Sequence, residues 1–575
     1  MAETLISPGV LARENDQSQI TSGPIQAGAA IVGPTVKGKV GIPKLVTSYS
    51  EYLANFGSTF TFSGSEYSFL TSISAYNYFQ NGGSSLIVTR VASGSFSPAT
   101  ASVPTASTFG GTETVVFELE TLSDGVIMNS TSSESTTGAL SSGSADNLRW
   151  EIVSPNTSSG TFGLIIRRGD DTTKTKRVLE TFTNLSLDPK SSNFISRIIG
   201  DQTQTLMGSG TSDVYLQPTG SYRNASRFVR VSAVNVTTPD YFDNDGNAKT
   251  AFTGSIPTAQ SGTFGGATGV VMSGTNTLYE NIGNTATQGI SGSDYTDAFN
   301  LLANKDEFRY NIISAPGLIY TNASHATPLN TLISNVENRG DAIIPLDLEN
   351  YASSITATVS TAASLDTSYA AAYWPWLQIT DPDTRQLVWV PASTLIPGVY
   401  AANDNTAEPW FAPAGINRGG LRQVVQAERK LTQTNRDDLY TGKVNPIATF
   451  PGRGVVVFGQ KTLQNQASAL DRVNVRRLLI ELKSYISQIA DNLVFEQNTN
   501  ATRNSFLAQV NPYLASIQQR QGLYAFRVVM DETNNTADVI DRNQLVGAIY
   551  IQPTKTAEFI YLDFNILPTG ALFPS

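Results

Sequence analysis

The segment Ala557–Pro568, AEFIYLDFNILP, carries apolar side chains on both faces if it is extended. Ile560, Leu562, Phe564 and Ile566 fall on one side of the pleat, while Phe559 and Tyr561 share the other with Asp563 and Asn565. Such a strand needs cover on two faces and partners on two edges, because an open apolar edge invites aggregation. At the other extremity, Thr4 to about Gln19 is a polar arm in which a Pro8-Gly9 turn precedes Val10, Leu11, Ala12 and Arg13. It reads as a short strand without a local partner. Strand addition between copies of the chain satisfies both ends, since each N–H and C=O then finds a neighbour. About four or five inter-chain hydrogen bonds at a net of roughly 1 kcal/mol each make one added strand worth about 5 kcal/mol before burial. The candidate strand-exchange residues are Leu5, Ile6, Val10, Leu11, Ile560, Leu562, Phe564 and Ile566.

Between the ends the pattern changes twice. From Ala29 to Val91 the spacing predicts strand, loop, strand (PKLVTS), helix (SYSEYLANFG), helix (EYSFLTSISAYNYFQNGG) and strand (SLIVTRV), with glycines as stops. Residues 98 to about 297 turn rich in Ser, Thr and Gly, and Asn129–Asp146 holds ten Ser/Thr in eighteen residues, too polar to bury much. Hairpin signals flank that stretch: FGLIIRR, a GDDT turn, then KTKRVLETF. From Phe308 the α/β pattern returns with a strand (RYNIISAP), a helix (LNTLISNVENRG) and a strand (DAIIPLDL). AAYWPWLQIT, DPDT and QLVWVP predict a hairpin with exposed aromatics. Val475, Leu478, Leu479, Leu482, Ile486, Ile489 and Leu493 predict a long amphipathic helix. A second helix carries Phe506, Leu507, Val510, Leu514 and Ile517, kinked at Pro512, and strands LYAFRVVMD and QLVGAIYIQ follow.

Charge and composition exclude several functions. The 38 basic and 48 acidic residues leave a net charge of −10, which argues against a surface built to grip nucleic acid or an anionic membrane. No cysteine exists to make a disulfide or thiolate metal site. The opening MAETLISPGVLARENDQ lacks a basic and apolar leader pattern, and no apolar run is long enough to span a bilayer, so no membrane insertion is expected. The single histidine, His325, lies in TNASHATP, a loop-like context, and lacks a recognisable catalytic partner.

AAIVGPTVKGKV contains the G-x-x-x-x-G-K spacing of a phosphate-binding loop in Gly33, Gly38 and Lys39. Val40 offers no hydroxyl for Mg²⁺, and Gly41, Ile42 and Pro43 oppose the helix that would receive the phosphates. A loop after a strand is the expected structure, and no cofactor is expected. YFDNDGNAK resembles half a calcium loop, but Tyr241 and Phe252 stand where its end ligands belong, so a turn is expected and no metal site. Arg168-Gly169-Asp170 falls where a hairpin needs its turn. FPGRGVVVFG reads as a turn into a buried strand. Arg472, Arg476, Arg477 and Lys483 place positive charge along the long helix, as a solvated face or as a docking face for an acidic partner. No catalytic constellation is found.

An ordered set of motifs resembles the sheath proteins of contractile phage tails. It comprises ISPGV, AAIVG with PKLVTSYSEYLANFG, YWPWLQITDPDT, VPASTLIPGVYAAND, WFAPAG, NPIATFPGRGVVVFGQKTL, VNVRRLLIELKSYI, FEQN and AEFIYLDFNI. The resemblance implies a structural subunit of a virion, not an enzyme. It implies hexameric rings stacked helically around a tail tube, assembled in the host cytoplasm and able to contract and drive the tube through the host envelope. Expected partners are further copies, the tail tube protein, and baseplate and tail terminator proteins, with no direct nucleic acid. The expected fold is α+β and multidomain, with an α/β core, a C-terminal helical pair, and a β-sheet completed by neighbours' arms. Its divisions are a linking arm (1–22), a discontinuous middle domain (23–97 with 300–415), an outward β-rich insertion (98–299) and a C-terminal sheath domain (416–575) ending in a second arm. Arg472, Arg476, Arg477 and Lys483 become tube-facing candidates. Alternatives are the sheath of a non-viral contractile injection system, or a β-rich carbohydrate-binding or hydrolytic protein.

Overall fold

The computed structural model describes residues 25–26, 28–62, 64–106, 114–130, 134–270 and 281–559. Leu5, Ile6, Val10, Leu11, Ile560, Leu562, Phe564 and Ile566 therefore lie outside the described residues. Of the terminal apolar segment, residues 557–559 are described and have no regular secondary structure.

Apolar pentads set the central sheet. Ala29–Gly33 and Leu86–Arg90 are buried along their whole lengths and pair in parallel, Ala29 opposite Leu86. Parallel strands are covered on both faces, which is why they read as continuous apolar runs. Successive residues alternate between two cores: Ala29, Ile31, Leu86 and Val88 face one, and Ala30, Val32 and Ile87 the other. One half-sheet runs in the order Lys44–Val46, Leu86–Arg90, Ala29–Gly33, Ile312–Ser314. A second runs Ile344–Leu346, Ala370–Trp374, Val444–Phe450, Gly454–Val457. The halves join where Ile313 N donates to Ile343 O and Ile343 N to Asn311 O, both at 3.0 Å. The helix Ala323–Arg339 makes the crossover between them and ends on Gly340, whose left-handed φ of 71° suits glycine.

Several expectations need correction here. Val444–Phe450 pairs in parallel with Ala370–Trp374, so this sheet draws strands from beyond residue 415, through the hairpin ending at Val457. The expected long helix before Gln80 begins only at Leu70, because Ser65–Ser68 pairs back onto Thr59–Phe62. The YWPW aromatics are not exposed: Tyr373, Trp374 and Trp376 are buried, with the Trp376 indole donating to Glu349 O at 3.0 Å. The hairpin is Leu377–Thr380 with Leu387–Val390, while Ala370–Trp374 belongs to the central sheet. His325 is not in a loop but in the first turn of the crossover helix, fully buried, its Nδ1 accepting from Ile319 N at 3.1 Å. Burial pushes its pKa down to about 4, so it is a neutral packing group.

The β-rich insertion has its own core. One sheet orders Val229–Val234, Val115–Asp124 and Pro98–Pro104; another orders Val178–Ser186, Thr161–Arg168, Leu148–Asn156 and Gln260–Thr263. Phe117 and Phe162 stack between them with centroids 5.7 Å apart. The Arg168-Gly169-Asp170 turn is closed by an Arg168–Asp170 ion pair at 2.6 Å, and the half calcium loop is a turn in which Asp243 N donates to Asn247 O. No helix among the described residues is long and apolar enough to cross a membrane.

Candidate assembly surface

The long helix Val473–Asp491 turns Leu478, Leu482 and Ile489 towards Phe506, Val510, Leu514 and Ile517 of the second helix, Asn500–Gln519. Tyr485 and Tyr513 stack across the pair at 3.7 Å. The second helix continues through Pro512. Gly522 then releases the chain into Leu523–Val529, which pairs antiparallel with Ala548–Pro553, Phe526 opposite Ile551 and Val528 opposite Ile549. Those four side chains lie half-buried against the helices. The opposite face is open: Tyr524 and Tyr550 are 62% and 63% exposed. Among the described residues this sheet has only two strands, so each keeps one edge without a ladder partner. Two-stranded sheets are marginal alone and open edges recruit further strands. Phe495, fully exposed, and Phe559, 67% exposed, add apolar surface nearby in sequence.

The chain leaves this sheet through an anchored root. Glu558 Oε1 accepts from Arg472 Nε at 2.8 Å and Gln460 Nε2 at 2.9 Å, and its Oε2 accepts from the Tyr440 hydroxyl at 2.5 Å. Gln460 also donates to Thr556 Oγ1 at 2.6 Å. Burial would raise the Glu558 pKa, but these three donors outweigh it and hold the carboxyl below its ordinary range. Burial, helped by the adjoining carboxylate, pushes the Tyr440 hydroxyl up, so the tyrosine stays a donor. The root residues are thereby tied to the α/β unit at Tyr440 and Gln460 and to Arg472 at the start of the long helix before the apolar segment begins.

The four tube-facing candidates do not form one basic face. Arg476 and Arg477 are 4% and 3% exposed. Arg477 makes a two-pronged ion pair with Asp404, at 2.8 and 2.5 Å, and lies over the Tyr400 ring. Arg476 lies 4.0 Å from the Tyr369 ring centroid and donates to Ser368 Oγ. An isolated guanidinium is costly to bury, so the Asp404 carboxylate lets Arg477 face inward, while Arg476 rests on the Tyr369 ring and the Ser368 hydroxyl. Arg472 is spent on Glu558. Lys483 alone is exposed, its Nζ 3.4 Å from the Tyr369 hydroxyl. The phosphate-loop spacing is likewise occupied by protein: Lys39 Nζ lies 3.2 Å from Asp124 Oδ1, Val40 N donates to Asp124 Oδ2, and Arg90 donates to Gly38 O. The next helix starts only at Tyr49. Among the described residues, no group of three or more His, Cys, Asp or Glu could hold a metal ion.

The profile of the phage tail sheath protein central domain matches residues 288–463, and that of the phage tail sheath C-terminal domain matches 465–567. Both matched stretches are thus domains of the phage tail sheath family. The break between the two matches falls where Leu463 N closes onto Ala370 O at 3.0 Å, at the end of the central sheet. The tail sheath protein of Vibrio phage KVP40 is 33% identical over 362 residues, covering 60% of this chain and 52% of that protein. That of Enterobacteria phage T4 is 41% identical over 185 residues, 32% of this chain and 28% of the relative. The chain thus spans about half the length, or less, of these curated relatives. A crystal structure of a sheath tail protein from Listeria innocua aligns over 92% of this chain and 95% of its own, with a TM-score of 0.50 and 10% identity, a likeness of fold alone.

Proposed function

We propose that the chain is the repeating subunit of a contractile phage tail sheath, polymerising through strand exchange at the C-terminal sheet as hexameric rings stacked around a tail tube. The observation that carries this reading is the two-stranded sheet Leu523–Val529/Ala548–Pro553, open at both edges among the described residues, from which the chain runs into the anchored root at Thr556–Glu558. The terminal apolar segment that follows the root, and the arm at 4–15, supply strands for such edges on neighbouring copies. The insertion faces outward, Lys483 is the remaining basic contact for the tube, and baseplate and terminator proteins close the two ends. Assembly takes place in the host cytoplasm, the finished sheath being part of the virion. Contraction exchanges one set of inter-subunit contacts for a better packed one, and a few kcal/mol per subunit, summed over many rings, suffices without nucleotide.

Electron microscopy of the purified protein, alone and with residues 1–15 deleted, tests the proposal. The full chain is expected to form striated tubes and the deletion to remain folded but unpolymerised. Normal tubes from the deletion refute strand exchange by the first arm; no tubes from the full chain, with or without purified tail tube, refute the sheath reading.

A further inference from the structure

A cleft of about 580 Å³ lies between the α/β unit and the β-rich insertion, lined from one side by Lys37, Lys39 and Lys44 and from the other by Arg168, Arg223, Arg227 and Arg230. Four of these cations have carboxylate partners. Lys37 pairs with Asp146 and Lys39 with Asp124, both at 3.2 Å; Arg230 pairs with Glu120 at 2.7 Å and Arg168 with Asp170 at 2.6 Å. Lys44, Arg223 and Arg227 have no ion-pair partner within 4 Å among the described residues, although all three line the same concavity. The neighbouring carboxylates are engaged elsewhere. Glu51, which attracts Lys44 at longer range, accepts from Thr47 N at 2.9 Å and Thr47 Oγ1 at 2.8 Å; Glu180 accepts from Arg227 N at 2.9 Å and Ser226 Oγ at 2.6 Å.

This concentration of positive charge is out of keeping with a chain of net charge −10. Burial lowers the Lys44 pKa, Glu51 opposes that shift, and Arg227 adds to it, so the ammonium already feels the guanidinium as a repulsive neighbour. A bound anion would relieve that repulsion. Its class follows from the donors: two guanidinium forks match the paired oxygens of phosphate or carboxylate, and the lysine adds a point charge. The volume falls within the range of small-ligand sites and admits more than a single halide.

We propose that this cleft binds a compact oxyanion carrying at least two negative charges, held by Lys44, Arg223 and Arg227 and bridging the insertion to the α/β unit. The site is separate from the rejected phosphate loop, whose Lys39 is held by Asp124, and it does not depend on how the subunit assembles. Phosphate and carboxylate sources share the required chemistry, so pyrophosphate and citrate serve as the two probes.

Calorimetric titration of the full chain, at constant ionic strength made up with sodium chloride, tests the assignment. Saturable binding of one or both probes at one site per chain is expected, the stronger probe identifying the source. Arg223→Gln and Arg227→Gln are each expected to weaken it about tenfold or more, whereas Lys190→Gln, at an exposed ion pair with Asp240, leaves it unchanged. Both arginines are exposed, and circular dichroism checks each variant's fold. Hydrogen exchange in residues 223–230 is expected to slow on binding. Titrations of both probes that do not saturate, or binding untouched by both arginine variants, overturn the proposal.

Discussion

Glu558→Gln is the sharpest perturbation of the assembly surface, because one carboxylate collects three side-chain donors at the root of the terminal segment. The Arg472–Glu558 pair is 25% and 18% exposed at its two side chains, so solvent screens it only in part. A charge-assisted hydrogen bond contributes about 1.5–3 kcal/mol; with that screening, the lower half of the range applies, about 2 kcal/mol. The amide keeps an acceptor oxygen but turns an NH₂ towards a site filled with donors, leaving at least one of Arg472, Gln460 and Tyr440 poorly paired. At 1.4 kcal/mol per decade, the anchored root is expected to open about 30-fold more often. Hydrogen exchange of the amides of residues 556–559 reads this directly, and Arg472→Gln is expected to match it, with a double variant little worse than either. The pH dependence has a definite sign. The folded carboxyl titrates below its ordinary range, so its stabilisation is complete above that ordinary range and fades as the pH falls through the folded value. The difference between parent and Glu558→Gln is therefore large at pH 7 and shrinks as the pH falls below the ordinary carboxylate range. Exchange at the root unchanged by the variant at pH 7, or a difference that persists undiminished below that range, refutes the anchor.

Three other outcomes are expected. Lys483→Glu leaves the folded subunit intact but weakens co-sedimentation with purified tail tubes, whereas Arg477→Gln, which strips a buried partner from Asp404, lowers stability by about 3 kcal/mol in a denaturant titration. Tyr524→Asp with Tyr550→Asp leaves the thermal midpoint of the subunit nearly unchanged, since both rings are exposed, but reduces polymer length in electron micrographs. His325→Asn removes a pH-dependent contribution: the folded imidazole has its pKa lowered to about 4 from 6.5, so its neutral form favours the fold above the unfolded value and that contribution is lost as pH falls from about 6.5 to 4. Acid unfolding monitored by circular dichroism is expected to be less steep over that interval in the variant.

What was legible in the sequence was local. AAIVG and SLIVTRV announce buried strands because no polar residue interrupts the first and few the second, and Leu478, Leu482 and Ile489 mark the core face of a helix by period. The hairpin FGLIIRR–GDDT–KTKRVLETF was readable from its turn. Long-range pairings were not. Val444–Phe450 reaches its partner strand only after the chain has made an excursion through residues 375–443, so composition alone does not show that the sheet extends past 415. Arg476 and Arg477 look like surface charge because the hydroxyl of Ser368 and the carboxylate of Asp404 that receive them lie 108 and 73 residues away. Glu558 was passed over for the same reason, its donors being 86, 98 and 118 residues distant. The available hint was a charged residue opening an otherwise apolar run.

The pairings missed in the sequence also bear on how a sheath subunit can move. Trp410 is buried in the core of the helical pair, with its indole donating to Arg520 O at 3.1 Å and the Arg520 guanidinium 4.9 Å from the ring centroid. Arg520 also pairs with Glu408 at 2.9 Å, and Arg477 with Asp404, so the segment 404–410 is fastened to both C-terminal helices. That segment begins in the last turn of the helix Ile396–Thr406, whose Ile396, Val399 and Tyr400 belong to a core of the central sheet. Separating the two units would expose a tryptophan and strip a buried guanidinium of its partner, a cost of several kcal/mol. A rearrangement worth only a few kcal/mol per subunit cannot supply that. In the proposed contraction the central sheet and helical pair are therefore expected to travel as one body, with changes of contact falling between copies.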